Sequence, residues 1–347
     1  MKQIGVALLS YGMSGRVFHA PFLSLHPGFT LLGACERSRK QIQHDYAGTK
    51  SYASLDELLN DADVELVVVN TPTNTHYEYA EKVLQAGKHA IVEKAFTTTV
   101  AEAEELDAIA KSNNLKLSVF QNRRWDSDFR TVQKVISEGL LGEIVEATMC
   151  FDRFNPALSQ KLHKETAGPG AGVVYDLGPH LIDQALVLFG MPNAVFADFM
   201  ITRESSKVED YFEIRLYYEK HRVRLKSGYF VREPAPAYQI HGKKGSFLKS
   251  RADVQEASLQ KGVKPDAEGY GIEPESEQGL LHTERNGAVV RQLVPTLPGN
   301  YLEYFDGVYE SITGDKDVPV SAEDGINVMR IIGCAYRSHS SRKSVDF

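Results

Sequence analysis

Lys94 follows an apolar run at the point where a buried strand is expected to stop. The run HAIVEK, residues 89–94, ends in the opposite charges Glu93 and Lys94, and a helix-like pattern begins shortly afterwards. If this strand belongs to a parallel sheet, Lys94 lies at the carboxyl edge of the sheet, where such sheets bind ligands. There a partly desolvated ammonium group can hydrogen-bond a hydroxyl group or take part in proton transfer. Taken alone, the residue fits an ordinary surface lysine equally well.

Asp176 and His180 form a second candidate for proton transfer. They are four residues apart in YDLGPHLIDQALVLFG, residues 175–190, a spacing that predicts one helix face with Asp183 a further turn along. A carboxylate on that face can orient an imidazole and so make it a general base. The alternative is a capping aspartate beside a core or interface histidine. No third ligand accompanies the pair at a conventional spacing, so we expect no metal site.

Strand and helix patterns alternate from residue 1 to about 120, and this alternation predicts a parallel, doubly wound sheet. Right-handed crossovers make all its strands run the same way, so their carboxyl ends share one edge. The strands are predicted at 4–9, 29–35, 64–70, 89–94 and 115–121, with a strong helix at 100–114.

After residue 121 the pattern changes to antiparallel or mixed strands with a few helices, which predicts a second, α+β domain. The domains are therefore expected at 1–121 and 122–347. A hairpin over 210–231 turns near Glu219 and Lys220, and residues 262–279 are predicted to form a loop. Further strands are predicted at 144–151, 194–203 and 238–242, and helices at 127–139, 175–190, 300–314 and 321–341.

The turn SYGMSG, residues 10–15, directly follows the first strand and is a variant of the dinucleotide-binding fingerprint. Ser10 occupies the first glycine position, while Gly12 and Gly15 keep the other two. Gly12 would allow close approach of a pyrophosphate, and Gly15 close packing of the next helix on the strand. That helix would present its free N–H groups to the phosphates. A plain turn is the alternative.

The second strand ends at Cys35 and is followed by Glu36, Arg37, Ser38 and Arg39. An acid here suits the ribose hydroxyls of NAD, whereas an arginine suits the 2′-phosphate of NADP, so the sequence leaves the choice open. Glu36 could instead belong to a solvated helix start.

The loop NTPTNTH, residues 70–76, closes another strand of the predicted parallel sheet. It is expected either to lie beside the cofactor or to be a plain loop that caps a helix.

Composition limits the partners and the location. The chain has 39 basic and 46 acidic residues, a net charge of −7, so we expect no nucleic-acid partner. Cys35, Cys150 and Cys334 are far apart and match no metal or disulfide pattern, as is typical of a reducing compartment. No apolar run reaches the roughly 18 residues of a membrane span, and the N-terminus lacks a signal-peptide cleavage site. We therefore expect a cytoplasmic protein with no membrane contact.

Five motifs in order resemble those of the Gfo/Idh/MocA family of NAD(P)-dependent oxidoreductases, and within it the scyllo-inositol dehydrogenase (NADP+)-like members. They are GMSGRVFHAPF, NTPTNTHYEYA, AGKHAIVEKAFT, SVFQNRRWDSDF and YDLGPHLIDQALVLFG. The resemblance extends over essentially the whole chain. It implies an N-terminal Rossmann domain and a C-terminal α+β domain. The second domain would contain a large open, mainly antiparallel sheet that commonly forms an interface in a homo-oligomer, a dimer or tetramer.

The resemblance also implies roles for individual residues. Lys94 matches the lysine of the family's E-K-P motif, and Asp176 and His180 match its D-x-x-x-H pair. His180 would be the general base, Lys94 would hold the substrate oxygen, and Asp176 would position the substrate or the histidine. The residues expected to bind NAD or NADP are Ser10, Gly12, Met13, Ser14, Gly15, Glu36, Arg37, Ser38, Asn70, Thr71, Pro72, Asn74, His76, Glu93, Lys94, Gln121, Arg124 and Trp125, and those expected to bind substrate are Lys94, Arg123, Tyr175, Asp176, His180 and Asp183.

Two residues depart from the family pattern: Ser10 replaces a fingerprint glycine, and Ala95 replaces the proline of E-K-P.

The expected substrate is a polyol or sugar of the inositol kind. Two alternatives remain: a glycoside hydrolase that uses NAD transiently, and a non-catalytic regulator that binds a dinucleotide. A regulator would be expected to have lost catalytic residues, whereas this sequence keeps Lys94, Asp176 and His180.

Overall fold

The computed structural model of the chain describes residues 2–36, 38–159 and 162–347. They form two compact units, of which the first contains Met1–Asn122, Gln255–Tyr270 and Asn300–Ile326 and the second Arg123–Val254, Gly271–Gly299 and Asn327–Phe347. The sequence assigned all of 122–347 to the second domain. The difference arises because distant segments bring aromatic side chains into the first core, where Phe305 stacks on Phe22 at a centroid distance of 5.3 Å.

The first unit is built on a six-stranded sheet in which every neighbouring pair is parallel. The strand order, β3-β2-β1-β4-β5-β6, reverses between β1 and β4, where such sheets bind ligands. Five strands lie where the sequence predicts them, and β3 was missed because it has only three residues. The strands are β1 (Ile4–Leu8), β2 (Phe29–Cys35), β3 (Lys50–Tyr52), β4 (Leu66–Val69), β5 (His89–Glu93) and β6 (Leu117–Phe120).

Helix α5 (Val100–Ser112) begins at a local signal that the sequence contains. Thr99 accepts a hydrogen bond from Glu102 N, and the Glu102 carboxylate accepts one from Thr99 N, a capping box that begins α5. Among the described residues, no helix is long and apolar enough to cross a membrane. The helices are α1 (Ala20–Leu25), α2 (Gln41–Asp45), α3 (Leu55–Leu59), α4 (His76–Gln85), α5 (Val100–Ser112), α6 (Ser127–Ser137), α7 (Leu162–Glu165), α8 (Val173–Asp176), α9 (Gly178–Phe189), α10 (Gln255–Gln260), α11 (Leu302–Thr313) and α12 (Ala322–Ser341).

The second unit contains a nine-stranded sheet of order β14-β13-β12-β11-β7-β10-β9-β8-β15. Among the described strands of this sheet, only β7 and β10 pair in parallel, which confirms the predicted, mainly antiparallel sheet. The strands are β7 (Ile144–Cys150), β8 (Ala194–Met200), β9 (Tyr211–Tyr217), β10 (Arg222–Gly228), β11 (Tyr238–Gly242), β12 (Gly245–Lys249), β13 (Gly279–Arg285), β14 (Ala288–Val294) and β15 (Val345–Asp346).

Two predictions on the second unit have different outcomes. The hairpin of β9 and β10 is confirmed, with Tyr217 opposite Arg222 and with Phe212, Ile214 and Leu216 buried on one face. The helix predicted over 175–190 is two helices, α8 and α9, separated at Leu177. Pro179 lies in the first turn of α9, and a proline cannot continue the hydrogen bonding of a preceding helix.

A buried ion pair in the second unit joins β12 to the segment before β13. Lys249 Nζ lies 2.6 Å from Glu273 Oε2, and neither side chain is exposed to solvent. Lys249 Nζ also donates to Glu277 O at 2.8 Å, and Ser127 Oγ donates to Glu273 Oε1 at 2.5 Å. Both charges are therefore hydrogen-bonded on several sides, as a buried pair requires.

We expect Lys249→Met to lower the free energy of unfolding by about 3–5 kcal/mol, because it leaves the buried Glu273 carboxylate without its cation. Urea unfolding followed by circular dichroism measures the change. The matched control is Lys243→Met, which removes an exposed pair with Glu143 (2.6 Å) and is expected to leave stability nearly unchanged. Equal losses in the two variants would contradict the role assigned to the buried pair.

Candidate active site

The loop after β1 is held by Asn70, at the end of β4. Asn70 Nδ2 donates to Ser10 O at 2.8 Å, and its Oδ1 accepts from Ser10 N at 2.9 Å. Ser10 Oγ accepts from Gly12 N at 3.3 Å and so helps to close the turn. Ser10 has no positive φ, which explains why a non-glycine residue is tolerated at this fingerprint position.

The two glycines of this loop fit a dinucleotide. A Cβ on Gly15 would lie 2.4 Å from Ser10 O and 3.0 Å from Asn70 Nδ2, so only glycine allows this packing. A Cβ on Gly12 would instead meet only Ser10 Oγ, at 3.5 Å, so the space beside Gly12 is open to a pyrophosphate. The chain continues into a π-helical turn, Gly15–His19, and then α1.

A cavity of about 1190 Å³ opens beside this loop within the first unit. Its wall includes the loop itself, the residues that follow β2, parts of α1 and α2, and a segment that begins in α10. The lining residues include Gly12, Met13, Glu36, Ser38, Arg39 and Lys264. Arg37, also predicted to bind the cofactor, lies outside the described residues.

The Glu36 carboxylate caps the N-terminus of α2. Its Oε1 accepts from Gln41 N at 2.9 Å, and its Oε2 accepts from Ile42 N at 3.1 Å and from Ser51 Oγ at 2.9 Å. Both oxygens are thus hydrogen-bonded by the protein. This arrangement corresponds to the alternative prediction, in which Glu36 belongs to the start of a helix. Ser38 and Arg39 contribute to the cavity wall without such partners among the described residues.

His76, predicted as a cofactor contact, holds two segments of the first unit together. It is 1% exposed. Nδ1 lies 2.8 Å from Ala95 O and Nε2 lies 2.8 Å from Thr71 O, so the ring joins the loop after β4 to the segment after β5. Burial lowers the pKa of His76, and the hydrogen bonds to these carbonyls oppose that effect. Of the same loop, Pro72 and Asn74 are exposed and Thr71 is half-buried.

Glu93 connects the cofactor loop to the end of β5. Its Oε1 accepts from Ser14 Oγ and lies 2.9 Å from Nε2 of the fully buried His19, while its Oε2 accepts from Lys94 N at 3.3 Å. Burial alone would raise the pKa of Glu93, but the hydrogen bonds from His19 and Ser14 outweigh it and lower the pKa to about 2. The carboxylate is therefore charged beside Lys94.

Sequence reasoning missed His19. The residue lies within GMSGRVFHAPF, but nothing local in that motif indicates contact with a residue 74 positions away. Its ring also packs at 4.3 Å from Phe120, at the end of β6.

Lys94 itself is partly exposed, the Lys94–Ala95 peptide bond is cis, and Ala95 is buried. Gln121, which follows β6, is also buried.

Asp176 and His180 belong to the second unit and to different helices, α8 and α9. Asp176 Oδ1 accepts from Lys164 Nζ at 2.6 Å, a contact that the sequence did not suggest. His180 lies in the first turn of α9 and is 5% exposed. The predicted single helix is interrupted at Leu177, between the two residues, and the pairing of Asp176 with His180 stays a prediction.

Arg124 and Asp183, assigned by the sequence to different ligands, bind each other. Arg124 Nε donates to Asp183 Oδ2 at 2.8 Å, and Nη2 donates to Oδ1 at 2.6 Å. Both side chains are largely buried, at 15% and 2% exposure. Such a two-point pair fixes the orientation of a guanidinium.

The other residues predicted at this part of the site lie around the 3₁₀-helical turn Asn122–Trp125 and on α8. The guanidinium of Arg123 lies 5.1 Å from the centre of the Phe151 ring, and Nη1 lies 3.3 Å from Asp126 Oδ2. Trp125 is half-buried, and Tyr175 packs at 5.9 Å from Tyr336.

Comparison with known proteins identifies the family. Residues 4–121 match the family model described as "Oxidoreductase family, NAD-binding Rossmann fold", and residues 133–347 match "Oxidoreductase family, C-terminal alpha/beta domain". The chain belongs to the Gfo/Idh/MocA family of oxidoreductases. This membership confirms the predicted fold class and a nicotinamide-dependent oxidoreductase.

Individual relatives match over nearly their full length. The chain is 40% identical to scyllo-inositol 2-dehydrogenase (NADP(+)) IolW of Bacillus subtilis over 342 residues, 99% of this chain and 95% of the relative. A solved structure of an oxidoreductase from Bacteroides fragilis superposes with a TM-score of 0.92 at 44% identity and covers 100% of both chains. The structure of the oxidoreductase yvaA from Bacillus subtilis gives 0.96 at 39% identity, covering 100% of this chain and 99% of that one.

The depressed pKa of Glu93 predicts a pH-dependent contribution to stability. Because its pKa falls from 4.5 to about 2 on folding, the stabilisation is complete above pH 4.5 and is lost as the pH falls towards 2. Glu93→Gln should therefore lower the free energy of unfolding by about 2–4 kcal/mol at pH 7, and by about half as much at pH 3. Urea unfolding at a series of pH values measures the difference.

The control for this series is Glu310→Gln, at an exposed position of α11 that pairs with Lys316. It should change stability by less than about 1 kcal/mol throughout. A Glu93→Gln effect that stayed constant down to pH 3 would be inconsistent with a charged carboxylate of low pKa.

Proposed function

We propose that the protein transfers a hydride between NADP and a secondary alcohol or ketone of a polyol or sugar of the inositol kind. The observation that carries the proposal is the position of Lys94. Its neighbour Glu93 binds Ser14 of the glycine loop, so the lysine lies beside the loop that fits the dinucleotide. The name of the Bacillus subtilis relative, an inositol dehydrogenase, supports the substrate class.

We infer the preference for NADP over NAD from the hydrogen-bond partners of the polar residues that follow β2. The Glu36 carboxylate accepts three hydrogen bonds from the protein and is poorly available to ribose hydroxyls. Arg39 and Ser38 line the adjacent cavity, where a 2′-phosphate would find a cation and a hydroxyl donor.

In the proposed reaction, a bound nicotinamide supplies the acceptor for the hydride that leaves the alcohol carbon. Lys94 donates a hydrogen bond to the alcohol oxygen and stabilises negative charge that develops there. The His180 imidazole takes the hydroxyl proton, which leaves a ketone. Asp176, paired with Lys164, positions the substrate or the imidazole.

The remaining predicted site residues divide into two groups in this proposal. Arg123 and Tyr175 are the candidate contacts for substrate hydroxyls, with Trp125 as a packing surface. Asp183 acts through Arg124, because the arginine binds both of its carboxylate oxygens. Assembly into a dimer or tetramer through the nine-stranded sheet stays a prediction.

The proposal is tested by following reduced nicotinamide absorbance while inositols, hexoses and their keto forms are offered with NADP or NAD. We expect turnover of at least one polyol or its ketone, faster with NADP. Absence of nucleotide binding would overturn the proposal. Cleavage of an aryl glycoside without net change in nicotinamide absorbance would replace it with hydrolysis.

Variants of the catalytic residues separate chemistry from binding. Lys94→Met and His180→Asn are each expected to lower kcat about 10²–10⁴-fold, because each removes a group that acts on the transferred proton or the oxygen that bears it. Fluorescence titration should show that both variants still bind NADPH, because their glycine loop is intact.

The matched control is Lys111→Met, at a 73% exposed position on α5, which should leave kcat unchanged. Wild-type kcat in Lys94→Met would show that Lys94 has no part in the reaction.

A further inference from the structure

We propose that Lys264, far from the dinucleotide fingerprint in the sequence, is a second determinant of NADP specificity and binds the 2′-phosphate together with Arg39. The inference rests on the proposed function, since it concerns the same cofactor. It assigns a binding role to the segment from α10 to Lys264, which the sequence placed in the other domain and partly in a loop.

The segment is a fixed part of the first unit. At its beginning, Gln255 is fully buried and its Oε1 accepts from Tyr301 N at 2.8 Å. Helix α10 then lies against the π-helical turn Gly15–His19 that follows the glycine loop. Residues of the cofactor loop and of α10 therefore hold a defined relative position.

The end of α10 determines the backbone position of Lys264. Gly262 has a φ of +82°, and Val263 N donates to Ser258 O at 3.0 Å, the hydrogen bond of a Schellman motif. Lys264 follows immediately, and its carbonyl accepts from Ala267 N at 3.1 Å in the next turn. The lysine thus extends from a constrained turn rather than from an irregular loop.

Lys264 and Arg39 line the same cavity of about 1190 Å³ as Gly12 and Ser38. In a dinucleotide-binding sheet, the adenosine ribose lies near the residues that follow the second strand. Lys264 lines the same cavity as those residues, and on this basis we assign it to the substituents of that ribose.

The charges around the cavity favour an anion. Asp45, its other carboxylate besides Glu36, accepts from Tyr11 Oη at 2.9 Å and lies 3.5 Å from Arg16 Nε. Arg16 and both carboxylates are therefore engaged within the protein. Over the part of the chain that the structure describes, no ion pair or side-chain hydrogen bond involves Arg39 or Lys264. Two such cations and the Ser38 hydroxyl match a phosphate dianion, whereas the 2′-hydroxyl of NAD has no charge for them to bind.

The test uses 2′,5′-ADP and 5′-AMP, which contain the adenosine end of each cofactor without the nicotinamide. Calorimetric titration of the full chain gives dissociation constants without any turnover. For Lys264→Ala we expect the dissociation constant of 2′,5′-ADP to rise about ten-fold, because a charge-assisted contact is lost, and that of 5′-AMP to change less than about two-fold. NADPH and NADH, titrated by fluorescence, should show the same contrast.

The matched control is Lys261→Ala, an exposed lysine of the same segment that does not line the cavity, and it should leave all four dissociation constants unchanged. Arg39→Ala should resemble Lys264→Ala. If Arg39→Ala weakens 2′,5′-ADP selectively while Lys264→Ala behaves like Lys261→Ala, the inference about Lys264 is overturned and the proposed function stands. Equal weakening of 2′,5′-ADP and 5′-AMP by Lys264→Ala would also overturn it, since the lysine would not distinguish the phosphate. If the wild type binds neither NADPH nor NADH, both proposals fail.

Discussion

The buried carboxylate of Glu93 is the interaction on which the ligand-binding edge of the first sheet depends. It joins the glycine loop through Ser14, the following turn through His19, and the backbone of Lys94. Because the group is charged and nearly excluded from water, losing any one partner would leave it poorly solvated. The loop that fits the dinucleotide and the lysine proposed to act on substrate are therefore held in one arrangement, and such pre-organisation is what proximity catalysis requires.

The polar groups of the first unit fall into two classes with different consequences. Asn70, His76, Glu36 and Asp45 are engaged by backbone or side-chain partners and stabilise the shape of the edge. Arg39 and Lys264 line the cavity without such partners in the described chain. Asn70 and His76 are buried and would be costly to leave unpaired, whereas the second class is available for a ligand. This division, rather than the identity of the residue after β2, supports NADP over NAD.

Part of the candidate site has local signals in the sequence. The glycine loop follows a strand directly, and Lys94 ends one, so both positions are visible as breaks in apolar periodicity. His19 was not predictable, since its contact with Glu93 spans 74 residues and depends on how two strands and a turn pack. The division of α8 from α9 had a local signal in Gly178 and Pro179, but the regular spacing of apolar residues across the break indicated one helix.

By itself, the sequence determined the alternation of strands and helices, the parallel first sheet, the mainly antiparallel second sheet and the order of motifs that indicates the family. The strands and helices follow from side-chain periodicity, which depends on neighbours in the chain, whereas the mainly antiparallel form of the second sheet was implied by the family resemblance. Only the tertiary structure decided which polar residues are already engaged. Glu36 caps a helix, Asp183 binds Arg124, and the segment after α10 joins the first unit and places Lys264 in its cavity. Such partnerships arise between residues distant in sequence, so no local pattern records them.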